Sequence, residues 1–202
     1  MTTTIEMIKK LREETGAGVS DCRQALEQSN SNYKLALVFL QEQAAEQARK
    51  HNDRQASQGM IEVYSHGNGR IGVIVEVNCE TDFAARSLAF RSFAHEIALQ
   101  IAAATPLWVR EQDIPEEILH TETEKVSEKV RAEGKPETLV PQIAAGYMKK
   151  FMDQKVLMRQ VSIRDELVTV AQMLTKVMAS VGENIVIRRF ERWELEENNL
   201  GE

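Results

Sequence analysis

Residues 59–83 read GMIEVYSHGNGRIGVIVEVNCETDF, and this stretch decides the fold class. From Gly59 to Ser65, Ile61 and Val63 alternate with Glu62 and Tyr64, the period of a half-buried strand. His66-Gly67-Asn68-Gly69 supplies turn chemistry, and Arg70 to Val77 is a β-branched run with Ile71, Val73, Val75 and Val77 on one face. A hairpin is predicted. A further strand is expected at Asn184–Leu195, carrying Ile185, Val186, Ile187, Phe190 and Trp193, so that one small antiparallel sheet draws on distant parts of the chain.

Between those strands the pattern is helical. Leu88, Phe90, Phe93, Ile97 and Ile101 trace a stripe along a single helix that begins near Ala84 and ends at Pro106. Ile114-Pro115-Glu116-Glu117 opens another helix with proline at its first position, running to about Ala132. Two more are expected at Glu137–Gln154 and Glu166–Ser180, with Gly182 ending the last. Ahead of the hairpin, three short helices are predicted. The first is capped by Thr4 and carries Ile5, Met7, Ile8 and Leu11; Thr15-Gly16-Ala17-Gly18 stops it. The second is capped by Ser20 or Asp21 and carries Cys22, Ala25 and Leu26. Asn30-Ser31-Asn32 breaks it, and the third carries Tyr33, Ala36, Leu37 and Leu40. Residues 41–58 are polar, either a frayed helical extension or a linker. The class is therefore α+β, with a three-helix module at 1–50, a linker at 51–58, a core of antiparallel sheet packed with helices at 59–195 and a disordered tail at 196–202.

Composition narrows the function. The 202 residues include 25 Lys and Arg against 31 Asp and Glu, a net charge of −6, so the chain lacks the basic footprint of a general nucleic-acid binder or of a protein held to an anionic membrane. The N-terminal helices resemble a helix-turn-helix in spacing, but residues 1–50 carry seven basic and seven acidic side chains, better suited to docking protein than phosphate. Cys22 and Cys79 belong to no CxxC pair and read as small buried side chains in a reducing compartment. No signal peptide is expected from the first residues, and the most apolar stretch, Ile97 to Val109, is too short to span a bilayer. A cytoplasmic protein is the expectation.

Enzymatic motifs fail on context. Gly67-Asn68-Gly69-Arg70-Ile71-Gly72 matches GxGxxG but lies between two strands, where no helix N-terminus can meet a phosphate. His95-Glu96 begins an HExxH pattern whose second histidine is replaced by Leu99, and the four histidines have no ligand spacing, so no metal site and no cofactor are expected. One segment offers two readings. In Asn78-Cys79-Glu80-Thr81-Asp82-Phe83, Thr81 or Asp82 can cap the long helix, with Phe83 its first core residue. Equally, a carboxylate beside a large ring at a strand–helix corner can probe a partner, the ring entering an apolar pocket while the charge perturbs a nearby cation.

The chain resembles the elongation factor Ts family. Leu11-Arg12-Glu13-Glu14-Thr15-Gly16-Ala17-Gly18 with Asp21-Cys22-Arg23-Gln24-Ala25-Leu26 is similar to that family's opening motif, and Glu76-Val77-Asn78-Cys79-Glu80-Thr81-Asp82-Phe83 to its most specific one. Gly182-Glu183-Asn184-Ile185 followed by Arg188-Arg189-Phe190 resembles its C-terminal signature. The resemblance implies a ubiquitin-associated-like N-terminal module and a guanine nucleotide exchange factor acting on elongation factor Tu in its GDP-bound and nucleotide-free states, without bond chemistry of its own. It implies that Asp82 and Phe83 intrude near the partner's magnesium site, Thr81 and Ala84 flanking them, while Arg12, Gly16, Gly18 and Val19 make a separate contact. Two departures stand out. Ala84 occupies a position that is often Val in the family, and Val19-Ser20 replace two methionines. Longer members carry a duplicated core half that is missing here, so the resemblance also implies a homodimer.

Overall fold

The computed structural model describes residues 5–51 and 54–195, apart from the side chains of residues 48, 49 and 51. The Thr4 cap and the tail 196–202 lie outside the described residues. Among the described residues are eight α-helices and a three-stranded antiparallel sheet, an α+β fold.

The hairpin forms where the alternation places it. Strand β1 covers Gln58–His66 and β2 covers Ile71–Cys79, joined by a turn in which Gly67, Asn68 and Gly69 all have positive φ. Val73, Val75 and Val77 are buried while Ile74 between them is exposed, so β2 is half-buried with its alternation intact. Strand β3 covers Ile185–Glu194 and completes the order β1-β2-β3, with the best apolar strand in the centre. Gly59 at the start of β1 is obligatory. Its φ is +147°, and a Cβ there would stand 2.2 Å from the Val77 carbonyl oxygen.

Contacts group the chain into two units. The first takes the chain up to Tyr64, Ile74–Ala98 and Ala171–Glu191. It opens with α1 (Ile5–Thr15), α2 (Val19–Gln28) and α3 (Tyr33–His51), whose shared core is Leu11, Cys22, Ala25, Leu26, Ala36 and Leu40. The cap of α2 differs from expectation. Gly18 takes the N-cap position in an extended conformation and its carbonyl accepts the Cys22 N–H, so Ser20 and Asp21 fall inside the first turn. Asn30 and Ser31 adopt left-handed φ and break the chain before α3. The polar stretch after Leu40 is the helical extension, not a linker, as far as His51. It is built from Gln, Ala and Glu, which are good helix formers, and carries a Lys50–Glu46 pair at 3.5 Å. The remaining core of this unit includes Val75, Val77, Phe90, Phe93, Ile97, Ile185 and Ile187.

The second unit takes Ser65–Val73, Leu99–Val170 and the chain from Arg192. Helix α6 (Glu116–Ala132) packs against α7 (Val140–Lys155), with Pro115 as the cap before α6 rather than its first residue. The core includes Ile101, Val109, Ile114, Val130, Val140, Met148, Val156 and Leu157. Two buried glutamines are fully engaged: Gln100 donates to Gln160 Oε1 and the Val161 carbonyl and accepts from Ile163 N, while Gln160 donates to the Ala104 and Gln154 carbonyls. The last helix, α8, begins at Val170 and not at Glu166. Asp165 Oδ1 accepts from Leu167 N and its carbonyl from Val168 N, a turn that occupies the residues expected to be helical.

Candidate functional site

Strand β2 ends at Cys79, and the chain turns through Glu80 and Thr81 into a five-residue helix, α4 (Asp82–Arg86). Thr81 is extended and its hydroxyl oxygen accepts the Ala84 N–H at 3.3 Å, so the capping reading of this threonine is correct. The single long helix expected from Ala84 is two helices. Ser87 is extended and its Oγ accepts the Phe90 N–H at 3.2 Å, starting α5 (Leu88–Ala104) as a separate helix. A serine cap satisfies one orphan donor of α5, Phe90 N, without glycine or proline, which is why sequence periodicity runs straight through the break.

The break changes what Phe83 does. It is not the first core residue of a helix; its side chain is 82% exposed. Leu88, at the start of α5, is equally exposed, whereas Ala84 is only 5% exposed and anchors α4. Asp82 sits on the surface with its carboxylate 2.9 Å from Arg86 one turn later. A cavity of about 330 Å³ lies beside this pair, lined by Gln58, Gly59, Met60, Asp82, Ala85, Arg86 and Arg91. The corner therefore presents a ring and a carboxylate on a buried small-residue anchor.

The backbone of this corner is held from far along the chain. Glu183, just past α8 (Val170–Val181), places Oε2 3.1 Å from Glu80 N and 3.0 Å from Thr81 N, and its Oε1 accepts the Thr81 hydroxyl at 2.5 Å. In return Glu80 Oε1 accepts Asn184 N at 2.6 Å. Arg54 lies 3.6 Å from the Glu80 carboxylate, and its carbonyl accepts from Asn184 Nδ2 at 2.7 Å. Cys79 completes the bracket: burial pushes its thiol pKa up, and the protonated Sγ lies 3.1 Å from the Thr81 carbonyl it donates to. The sequence reading singled out Thr81, Asp82, Phe83 and Ala84 but gave Glu183 and Glu80 no role. The available signal is that Glu80 and Glu183 each lie in a segment resembling a different motif of the elongation factor Ts family.

The second group of residues is at the α1–α2 turn. Arg12 is exposed in the last turn of α1, and Val19, at the start of α2, is 55% exposed. Gly18 is exposed beside Asp21, whose Oδ2 would stand 3.1 Å from a Cβ at that position. Gly16 differs from the other three. With φ of +74° it ends α1, and a Cβ there would approach Ser180 Cβ to 3.3 Å and the Lys176 carbonyl to 3.4 Å, so it faces α8. Lys176 Nζ also donates to the Glu13 carbonyl at 3.0 Å, tying the same helix end to α8. The structure thus brings Arg12, Gly18 and Val19 to the surface of one turn and gives Gly16 a packing role beneath it.

Among the described residues, no three His, Cys, Asp or Glu side chains are grouped to hold a metal ion, and no helix is long and apolar enough to cross a membrane. The family model for Elongation factor TS matches residues 6–181. Elongation factor Ts of Rubrobacter xylanophilus is 48% identical over 196 residues, 96% of this chain and all of that protein. Elongation factor Ts of Carboxydothermus hydrogenoformans is 45% identical over 194 residues, 96% of this chain and 89% of that one. The corresponding protein of Coprothermobacter proteolyticus is 43% identical over 197 residues, 98% of this chain and all of its own length. With the Glu80–Thr81 segment and the Glu183–Asn184 segment joined in space, a family model matching residues 6–181 and relatives at 43–48% identity covered over 89% or more of their length, the chain belongs to the elongation factor Ts family.

Proposed function

We propose that this protein is the guanine nucleotide exchange factor of elongation factor Tu, working in the cytoplasm, and that it acts through Asp82 and Phe83 without bond chemistry. The observation that carries the reading is Phe83, a large apolar side chain 82% exposed on a corner whose backbone is otherwise fixed by hydrogen bonds. An isolated ring in water gains about 2 kcal/mol on entering an apolar pocket, a gain available only in the complex. Asp82 travels with it and brings negative charge toward the partner's magnesium site. Magnesium bridges nucleotide phosphates and protein ligands, so disturbing its shell weakens the hold on GDP. Exchange then follows from differential affinity: the factor binds nucleotide-free elongation factor Tu better than the GDP-bound form, and the coupling is reciprocal.

In this reading the α1–α2 turn, with Arg12, Gly18 and Val19, makes a second contact that holds the partner while the corner acts. Gly16 supports it from below. The protein works as a homodimer. Ile61 and Val63 on β1 and Ile74 on β2 are exposed, on the opposite face from Glu62 and Tyr64, which contact His95 of α5. An apolar sheet face of this kind is suited to a second copy.

Release of a fluorescent GDP analogue from elongation factor Tu tests the reading. Addition of the protein is expected to accelerate release by orders of magnitude. Binding without acceleration would favour a scaffold that uses the N-terminal helices and has no exchange activity.

A further inference from the structure

We propose that Glu183 is the positioning residue of the Thr81–Phe83 corner, so that engagement of the partner is set from a segment about a hundred residues away in the chain. This inference rests on the exchange reading and adds to it the group that orients the probe. Three donors converge on one carboxylate, Glu80 N, Thr81 N and the Thr81 hydroxyl, at 3.1, 3.0 and 2.5 Å. Hydrogen bonds to a charged acceptor are stronger than neutral ones, and here two of them fix consecutive peptide planes. The third sets the cap itself. Because the Thr81 hydroxyl gives its proton to Glu183, its lone pair is left to accept the Ala84 N–H, which starts α4. The chain of contacts runs from the Glu183 carboxylate through the Thr81 hydroxyl to the helix that carries Phe83.

Phe83 needs such an orienting group because its own side chain is exposed and has no core to fix its direction. Glu183 holds the two peptide planes that lead into Thr81, and the Thr81 cap passes that constraint to the start of α4, where Phe83 leaves the backbone. The Glu80 carboxylate closes the arrangement from the other side by accepting Asn184 N at 2.6 Å, so a shift of either segment disturbs both. A corner held in its bound direction before encounter loses less conformational freedom on binding, and this favours the complex.

The test compares GDP release from elongation factor Tu, at a sub-saturating concentration of factor, for wild type, Glu183→Ala, Glu183→Gln, Phe83→Ala and the Glu183→Ala/Phe83→Ala double variant. Amide hydrogen exchange at residues 80 and 81 is followed in the free proteins. Loss of the carboxylate is expected to reduce acceleration roughly tenfold, with Gln restoring part of it. The expected signature is non-additivity: Glu183→Ala costs nothing further once Phe83 is gone, while amides 80 and 81 lose protection. Wild-type acceleration by Glu183→Ala despite unprotected amides would overturn the proposal. So would an equal loss in the Phe83→Ala background, since Glu183 would then act elsewhere. If Phe83→Ala itself accelerates release normally, the exchange reading of the corner falls, whatever Glu183 does. Should Glu183→Ala not fold, Thr81→Val removes the hydroxyl link and the Ala84 cap but leaves both amide bonds to Glu183, and a smaller loss with the same non-additivity is expected.

Discussion

Two turns of this protein each push an apolar side chain into water, and they are built differently. At the α1–α2 turn, Val19 follows a stop made from neighbours in sequence: Gly16 N donates to the Arg12 carbonyl, Thr15 Oγ1 to the Leu11 carbonyl, and Ala17 N to Thr15 Oγ1. At the β2–α4 corner, Phe83 follows a segment bracketed by Glu183 and Asn184. The first turn closes with local hydrogen bonds and takes one distant tie, from Lys176 Nζ to the Glu13 carbonyl ahead of it, whereas in the second the turning peptides are themselves held by a distant side chain. A corner assembled from two distant segments exists only in the folded chain, and it can hold a probe in one direction at the moment of encounter.

The largest expected effect separates the two regions through glycine. Gly59→Ala would drive a Cβ to 2.2 Å from the Val77 carbonyl, beside the segment that leads into the corner. We expect about 3 kcal/mol or more of lost stability in urea unfolding, because neither backbone can give way. Gly16→Ala meets Ser180 Cβ at 3.3 Å and a left-handed φ, and should lose about 1–2 kcal/mol. Equal losses would break the distinction between a strand-locked and a helix-end glycine.

Thr81→Ala comes next. It removes a cap and one hydrogen bond to Glu183, and about 1 kcal/mol of stability should go with it in thermal melts. Val19→Ala, on the other turn, should leave the melting temperature unchanged while weakening affinity for elongation factor Tu by about 1 kcal/mol in calorimetry. A fall in melting temperature without loss of affinity would reassign Val19 to the fold. The smallest effect belongs to Arg86→Ala. Its pair with Asp82 is solvent-exposed, so stability should change by about 0.5 kcal/mol or less.

The same local and distant division explains what could be read in advance. Alternating Val73, Val75 and Val77 with a glycine-rich turn made the hairpin legible, and glycine placement made the helix stops legible. The break at Ser87 was hidden because serine caps a helix and also fits inside one, so the apolar stripe through Phe90 and Ile97 concealed a second start. Exposure of Phe83 was hidden by the same stripe. Thr81, Asp82, Phe83 and Ala84 could be picked out as one segment, but Glu183 could not be paired with them. No periodicity links residues about a hundred positions apart, and a glutamate after a helix reads as solvated surface until the fold brings it to Glu80 and Thr81.

The central claim is that the corner presents Phe83 for the partner and not for the core. Single-turnover GDP release from elongation factor Tu by Phe83→Ala, with the melting temperature of the same sample, tests it most directly. We expect acceleration to fall roughly a hundredfold, as for an interface hot spot, at an unchanged melting temperature. Wild-type acceleration, or a loss explained entirely by unfolding, would contradict it.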